Sequence, residues 1–429
     1  MLDKLKRLSS GRLAKNISWI FFGNVLYALF RFLLDAFVAR ELSLDDNGLL
    51  NYANSLIQFA TAICGLGFSS IVTREFVENE KRAGDCLCSC IVAQSAVSVV
   101  AIAVLQVVVR LLAPGEPMLY TVTLLQSTST LFGSLALFVY WHRCRDKANL
   151  VAILRMVAFG ITAVWRIFAL HFPKSLFGYT CGLAAESLLF GVFLAVAFFR
   201  NFHGTFRFSM EMVRRILKSS YPFIFSALLS IIYGQTDRIM LKSMMGNEEV
   251  ALYSAALRLA SALSMIPSSL IEGFRPTIME LKHKDEGMYL KRFRQLYAIV
   301  FWFSVLYGLF VLLFAKYIVL ILYGEKYLGA VGALSLVVWY DAFCYFGSVN
   351  NMYMVAEYKS KWVQFTTLAG AVCNIVLNLV MIPIWGIEGA ALASLVTQVL
   401  ANFVMMWVIK DLRPGFKNLL RGIALRDIR

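Results

Sequence analysis

The sequence is short of charged residues: Asp, Glu, Lys and Arg together make up only 16% of its 429 positions. A soluble protein of this size carries about 25% charge. Hydrophobic residues reach 59% of the chain. Apolar runs recur along its whole length, each close to the roughly 20 residues that cross a bilayer as a helix. The composition therefore excludes a soluble protein and predicts an all-α polytopic membrane protein.

Residues that usually bind metals or act as nucleophiles are also scarce. The chain has four histidines and eight cysteines, and no two histidines are spaced as metal ligands. Cys86, Cys88 and Cys90 alternate at the start of a predicted helix, which is not the Cys-x-x-Cys geometry of a zinc site. The sequence has neither a nucleophile elbow nor a phosphate-binding Walker loop. We therefore expect no catalytic residue, no metal site and no cofactor, and we do not predict an enzyme.

Acidic residues are outnumbered, because 26 Asp and Glu face 41 Lys and Arg, for a formal net charge of +15. In a soluble protein such an excess would suggest nucleic-acid binding. Here the chain has no basic soluble domain, and membrane proteins concentrate Lys and Arg in their cytoplasmic loops. The excess is therefore interpreted as a topology signal, and no nucleic-acid partner is predicted.

Twelve membrane-spanning helices are predicted. Pro114, Gly115 and Pro117 mark one tight turn between them, and Gly386 marks another. The predicted spans are 17–39, 48–69, 88–112, 118–141, 149–170, 176–199, 220–242, 250–273, 295–317, 328–353, 362–384 and 388–410.

The basic residues between these spans predict the orientation. Thirty of them fall on the side of the N-terminus and only six on the other side. Because positive charge marks the cytoplasmic side, this asymmetry places both termini in the cytoplasm. The predicted location is a bacterial inner membrane.

The two halves of the chain resemble each other. A shift of 202 residues places Asp35 on Asp237 and Arg40 on Lys242, and it brings a polar face of the first span onto a polar face of the seventh. Six spans separate the copies, so both run in the same direction. The pattern predicts a parallel repeat of two six-helix bundles about an axis normal to the membrane.

The corresponding domain limits are predicted from the positions of the spans. An N-terminal bundle covers 1–199 and a C-terminal bundle covers 220–410. A cytoplasmic linker, 200–219, joins them, and a basic cytoplasmic tail, 411–429, follows.

Nine charged residues are predicted to lie at membrane depth, and a charge costs about 2.5–3.5 kcal/mol at the bilayer centre. The guanidinium group forms bidentate hydrogen bonds with phosphate, so the arginines predict a cationic cavity. The acids are candidates for ion coupling or for cavity partners of the arginines. Pairing along the chain, as between Arg31 and Asp35, and snorkelling to the outer interface remain alternatives. The arginines are Arg31, Arg155, Arg166, Arg238 and Arg258, and the acids are Asp35, Glu186, Asp237 and Asp341.

A pattern of small and polar residues over 14–80 carries a family resemblance. It comprises Ala39-Arg40-Glu41-Leu42, Gly48, Tyr52, Ala53, Ser55, Leu66-Gly67 and Arg74-Glu75. This stretch resembles the opening of Wzx-type polysaccharide flippases, which are members of the multidrug/oligosaccharidyl-lipid/polysaccharide exporter (MOP) superfamily. The span pattern and the repeat extend the resemblance over nearly the whole chain.

The resemblance implies a transporter for cell-surface polysaccharide such as the O-antigen of lipopolysaccharide. It would move undecaprenyl-pyrophosphate-linked oligosaccharide from the inner to the outer leaflet by alternating access, with H⁺ or Na⁺ as the coupling ion. The implied partners are the lipid-linked glycan, membrane lipids and other polysaccharide assembly proteins. No catalytic residues are implied.

Two other functions remain open. A multidrug or small organic cation antiporter of the same superfamily would favour acidic over basic residues in the cavity. A membrane-bound polysaccharide polymerase or ligase would carry a large extracytoplasmic loop, whereas no predicted outside loop exceeds about ten residues.

Overall fold

The computed structural model describes residues 2–65, 72–73, 76, 82–172 and 175–426, with side chains described except those of 2–21, 216–217 and 219–227. This part of the chain is helical and contains no strand. Its helices are α1 (Leu2–Glu41), α2 (Leu44–Gly65), α3 (Ala83–Leu112), α4 (Pro117–Phe132), α5 (Phe138–Cys144), α6 (Ala148–Ala169), α7 (Ser175–Phe199), α8 (Met210–Met244), α9 (Asn247–Ala260), α10 (Met265–Lys284), α11 (Glu286–Tyr323), α12 (Ala330–Ala356), α13 (Lys361–Val399), α14 (Met405–Val408) and α15 (Arg413–Ile423).

Each of the twelve predicted spans coincides with helix in the described residues, so the prediction of an all-α polytopic membrane protein is confirmed. Hydropathy and length alone identify eight membrane-crossing helices there, or nine if the bent pair Asn247–Leu263 and Met265–Lys284 counts as one. The lower number has two causes. One long element, Lys361–Val408, contains two of the predicted spans. The helix α2 is not among the eight, because polar residues interrupt its apolar sequence, and the side chains of α8 are described only in part.

The division between the last two spans lies at Gly386, as predicted. Its backbone has φ 57° and ψ −130°, in the middle of an otherwise continuous α13. Glycine adopts a positive φ at little cost because it has no Cβ. One residue therefore turns the chain back, and the eleventh and twelfth spans are the two arms of α13.

Several predicted boundaries differ from the observed ones. Helix α1 begins at Leu2 rather than at residue 17, and α8 begins at Met210, inside the predicted linker 200–219. The predicted tail contains helix α15. Hydropathy marks only the part of a helix that lies in lipid, whereas backbone hydrogen bonding continues beyond it into water. The prediction therefore shortened these helices.

The described chain forms two compact units. One contains Met1–Asp46 and Ala53–Leu228, and the other contains Asn47–Tyr52 and Leu229–Arg429. The second unit thus includes the first turns of α2. There, a Cβ on Gly48 would lie 1.8 Å from the carbonyl oxygen of Asn247, so only glycine allows this close approach. The predicted bundle limits at 199 and 220 remain a prediction.

An aromatic core packs inside the first unit. The ring centroids of Phe138 and Phe198 lie 4.9 Å apart, and Trp141 meets Phe198 at the same distance, edge to face. Leu194 and Phe198 are completely buried. Burial of large aromatic side chains is the main stabilising contribution available to helices whose outer faces meet lipid.

An ion pair ties three helices of the second unit together beyond the spans. Lys282 Nζ lies 2.5 Å from Glu357 Oε1, and Tyr289 OH donates to the same oxygen at 2.7 Å. Burial alone would raise the pKa of Glu357, but the bonds from Lys282 and Tyr289 outweigh it and lower the pKa below its ordinary value. Glu357 is therefore ionised at neutral pH and holds α10, α11 and the end of α12.

Large apolar side chains cover the outside of the long helices. Leu111 is 76% exposed, Leu313 is 72% exposed and Val164 is 70% exposed. In water such faces would be unfavourable, but they are what a helix presents to hydrocarbon. These faces of α3, α6 and α11 are the lipid-facing surface.

Candidate functional site

Three helices of the first unit bring charged residues together. On α1, Tyr27, Arg31 and Asp35 follow one another at intervals of four, which places them on one face. Arg155 and Arg166 come from α6, and α7 supplies Glu186. The face of α1 predicted from the sequence is therefore joined by charges from two other helices, in what we term the Tyr27 cluster: Tyr27, Arg31, Arg155, Arg166 and Glu186.

Tyr27 lies at the centre of this cluster. Its hydroxyl donates to Glu186 Oε1 at 2.6 Å and accepts from Arg31 Nη1 at 3.0 Å. The guanidinium carbon of Arg155 lies 4.2 Å from the centre of the Tyr27 ring, a cation–π distance. One phenol ring thus contacts two arginines and a carboxylate.

Arg166 and Glu186 form an ion pair within the cluster. Arg166 is completely buried, and its Nη2 donates to Glu186 Oε2 and to Thr162 Oγ1, the latter at 3.0 Å. A Cβ on Gly182 would lie 2.5 Å from Arg166 Cγ, so the glycine makes room for this side chain. A buried charge needs such a partner, and removing one member typically costs about 3–5 kcal/mol. We therefore assign Arg166 to holding Glu186 rather than to contacting a ligand.

Arg31 and Arg155 are the cations of the cluster that remain available. Arg31 is exposed and Arg155 is half-buried. Among the described residues, Arg155 contacts aromatic faces, those of Tyr27 and Phe190, and forms no ion pair with a carboxylate. A cation on an aromatic face keeps its N–H groups for another acceptor, and a phosphate oxygen fits that requirement.

Asp35 lies one turn beyond Arg31. Its Oδ1 accepts from Tyr179 OH of α7 at 3.3 Å. With Asp35 included, three arginines face two carboxylates, so the cluster has an excess of positive charge.

The second unit surrounds Asp237 of α8 differently. Asp237 is only 8% exposed. Its carboxylate accepts from Tyr253 OH at 2.6 Å, from Ser394 Oγ at 2.5 Å and from Asn378 Nδ2 at 2.7 Å. Asn374 extends the group, since its Nδ2 donates to Ser394 Oγ at 3.0 Å. We call these residues the Asp237 cluster.

Three donors thus hold the Asp237 carboxylate inside the protein. Asp35 and Asp237 share one feature of the predicted repeat. Each accepts a hydroxyl hydrogen bond from the sixth span of its half, from Tyr179 in α7 and from Ser394 in the second arm of α13.

The remaining predicted residues, Arg238, Arg258 and Asp341, belong to the second unit. Arg238 donates to Ser254 Oγ at 3.1 Å and to Gln235 Oε1 at 2.6 Å. Arg258, in the last turn of α9, donates to Asn51 Oδ1 at 2.6 Å, within the second unit. Asp341 of α12 is buried, and its Oδ2 has no hydrogen-bond partner among the described residues. Three of the five predicted arginines thus belong to the first unit and two to the second.

The residues that organise both clusters were not predicted from the sequence. Tyr27 carries no charge, and Asn374, Asn378 and Ser394 lie in spans that were not tested for a polar face. Asn374 and Asn378 are four residues apart in the first arm of α13, so the test applied to the first span would have found them. Within the described residues, no group of three or more His, Cys, Asp or Glu could hold a metal ion.

A family model named polysaccharide biosynthesis protein matches residues 13–282, which is more than half of the chain. The chain belongs to this family. A second family model, MatE, matches residues 222–380 of this chain. Among curated proteins, none matches the chain significantly in sequence. The resemblance to polysaccharide flippases of the MOP superfamily is thereby confirmed at the level of the family.

Solved structures show the same fold. The lipid II flippase MurJ in an inward closed conformation has a TM-score of 0.72 at 15% identity, covering 96% of this chain and 90% of MurJ. An inward-facing MATE multidrug resistance transporter of the MOP superfamily has a TM-score of 0.66 at 16% identity, covering 93% and 95%. A MOP superfamily transporter from Pyrococcus furiosus has a TM-score of 0.60 at 15% identity, covering 95% and 96%. This chain therefore has the same fold as these flippase and transporter structures.

Proposed function

We propose that the protein is a flippase that moves polyprenyl-pyrophosphate-linked oligosaccharide from the inner to the outer leaflet of the bacterial inner membrane. Cell-surface polysaccharide such as O-antigen would be assembled from the exported units. The family match and the fold support transport, and the solved neighbours are named as a flippase and transporters. The lipid-linked substrate is our proposal.

One observation carries this proposal: Arg31 and Arg155 both meet Tyr27 inside membrane-spanning helices, while Glu186 is held by Arg166. Three arginines face two carboxylates here, and this excess of positive charge suits an anion in a region where an isolated charge is costly. Pyrophosphate joined to a polyprenyl chain is an anion that stays in the membrane. The chemistry of the site and the location of such a substrate therefore agree.

The same observation argues against the antiporter alternative. A site for organic cations needs carboxylates that are free of arginine, since opposite charges attract the ligand and like charges repel it. In the Tyr27 cluster the acid is already paired and the excess charge is positive. A polymerase or ligase has less support, because the solved structures with this fold are named as a flippase and as transporters.

The test is transport by the purified protein in lipid vesicles. Two substrates are compared: polyprenyl-pyrophosphate-linked oligosaccharide with a fluorophore on the glycan, and the organic cation ethidium. We expect the protein to make inner-leaflet glycan accessible to an external quencher and to leave ethidium uptake at the level of protein-free vesicles. Ethidium uptake without glycan movement would establish the antiporter instead.

We further propose that transport is coupled to H⁺ or Na⁺ at the Asp237 cluster. Asp237 brings one carboxylate together with the neutral oxygens of Asn374, Asn378 and Ser394. Asn378 Oδ1 is buried and has no hydrogen-bond donor among the described residues. Oxygen ligands of this kind suit a small hard cation, and one carboxylate balances a single positive charge.

The proposed orientation has both termini in the cytoplasm, and the thirty-to-six asymmetry of basic residues supports it. Reporter fusions test this directly. Fusions after Lys147, Lys218 and the last residue should report the cytoplasm, and fusions near Asp46 and Glu248 should report the periplasm. A periplasmic signal at Lys218 would contradict six spans in the first half.

A further inference from the structure

The second unit contains a cavity of about 190 Å³ between α8, α12, α13 and the turn that follows α13. None of its lining residues carries a charge. Eight of its twelve lining residues carry a hydroxyl or an amide group, among them Tyr233, Ser348, Thr366, Thr367, Gln398 and Asn402. Such a surface can both donate and accept hydrogen bonds but has little affinity for an ion.

We propose that this cavity binds one uncharged sugar ring of the transported glycan. The inference rests on the proposed function and adds a glycan site to it. It is carried by how the cavity is built, by a free hydroxyl in its wall, by its size and by its relation to the Tyr27 cluster.

Two features of the backbone create the space. The turn Leu400–Val404 is π-helical, and it supplies Ala401 and Asn402 to the lining. Such turns are rare and occur frequently at functional sites. A Cβ on Gly347 would lie 2.7 Å from Asn402 Oδ1, so a glycine at this position leaves room for the side-chain amide of Asn402. The cavity is thus built into the helices and is more than a gap between bulky side chains.

The wall offers hydrogen-bonding groups to a ligand. Tyr233 OH is buried and has no partner among the described residues. Thr367 Oγ1 donates to the carbonyl of Val363 at 2.8 Å, which leaves its lone pairs free to accept. A buried hydroxyl without a partner is unfavourable, and a hydrogen bond with a sugar hydroxyl would remove that cost.

The repeat shows what is special about this cavity. A shift of 212 residues places spans five and six on spans eleven and twelve, with Arg155 on Thr367 and Glu186 on Gln398. In the first span, Arg31 falls on Tyr233 with the shift of 202. The repeat therefore aligns three lining residues of the cavity with charged residues of the Tyr27 cluster, and at each of these positions a neutral polar group replaces the charge.

The size fits one ring better than a whole oligosaccharide. Drug-sized ligands occupy pockets of about 300–1,000 Å³. At about 190 Å³, this cavity is smaller and suits a single polar ring. The rest of the glycan would lie outside it.

Binding measurements on the intact, detergent-solubilised protein test the inference. The probes are the polyprenyl-pyrophosphate-linked oligosaccharide extracted from the host membrane and undecaprenyl pyrophosphate without sugar. The variant Thr367→Val, combined with Gln398→Met, keeps the side-chain volumes but removes polar groups from the wall. We expect roughly tenfold weaker binding of the first probe, because each lost hydrogen bond contributes about 0.5–1.5 kcal/mol, and unchanged binding of the second.

Two controls separate this effect from others. Thr130→Val makes the same change to a threonine of the first unit whose hydroxyl donates to Ser127 in its own helix, and it should alter neither affinity. Arg155→Gln should weaken both probes, since both carry pyrophosphate. If the cavity variant weakens both probes equally, or neither, the inference is wrong while the proposed function stands. If the wild-type protein binds neither probe, the proposed function itself is wrong and the glycan site falls with it.

Discussion

Arg31→Gln and Arg155→Gln should each lower the rate of glycan movement in vesicles by roughly 10- to 100-fold. A hydrogen bond to a charged group contributes about 1.5–3 kcal/mol, and each 1.4 kcal/mol corresponds to a factor of ten. Both guanidinium groups meet Tyr27, and neither is needed to hold Glu186, which Arg166 already pairs. The variants should therefore fold and lose substrate binding. The measurement is the initial rate of quenching of fluorescent lipid-linked oligosaccharide.

Matched variants distinguish a binding role from a general effect of charge. Arg31→Lys and Arg155→Lys should recover part of the rate, because the charge remains but the bidentate geometry is lost. Arg110→Gln removes one positive charge from α3, where Arg110 lies over the ring of Tyr120 and away from the cluster. It should transport at the wild-type rate. Wild-type transport by an Arg31→Gln, Arg155→Gln double variant would refute the anion site.

Arg166 is unsuitable for this comparison. Its guanidinium is completely buried against Glu186 and Thr162. Replacing it would leave a carboxylate without its partner, so a loss of transport could equally reflect a loss of folded protein. The structure thus separates three arginines that the sequence places in one class.

The number and position of the helices could be predicted from the sequence because lipid imposes a simple rule. A helix that crosses a bilayer must be apolar over about 20 residues, and its ends collect basic residues on one side. Most of the twelve spans follow from that rule, including the two that Gly386 separates. Helix ends beyond the predicted spans, such as Leu2–Lys15 of α1, follow no such rule and could not be predicted from it.

The composition of the site could be predicted only in part. Charges inside spans identified Arg31, Arg155 and Glu186 as candidates, because any charge in lipid needs a reason. Which charges meet depends on contacts among α1, α6 and α7, and no local pattern encodes these. Tyr27 shows the difficulty, since its role comes from its position between residues that lie 128 and 159 positions further along the chain.

The repeat illustrates the same limit. A single shift of 202 was expected to relate the whole of both halves, but it places Arg155 on Glu357, beyond the end of α12. The later spans need a shift of 212. Part of the difference comes from the third span of each half, since α11 has 38 residues and the corresponding α3 has 30. With the corrected shift, Arg166 falls on Asn378, a donor to Asp237.

Asp237→Asn should abolish the dependence of transport on an ion gradient. The Asp237 carboxylate accepts hydrogen bonds from Tyr253, Ser394 and Asn378. An asparagine side chain has the same shape as aspartate but carries no charge. A charge that crosses the full membrane potential contributes about 2.3 kcal/mol per 100 mV, equivalent to roughly 40-fold in accumulation. We expect wild-type vesicles to respond to imposed Na⁺ or H⁺ gradients and the variant to move glycan equally with and without them.

Two comparisons decide whether Asp237 couples transport or only braces the helices. Asp35→Asn makes the same change at the repeat-related position, where Tyr179 donates to the carboxylate. If both acids couple, each variant loses part of the gradient response, whereas a single coupling site leaves Asp35→Asn responsive. Bracing predicts slower transport with the gradient response intact. That outcome for Asp237→Asn would contradict coupling at this cluster, because a structural hydrogen bond cannot sense which side of the membrane holds the ion.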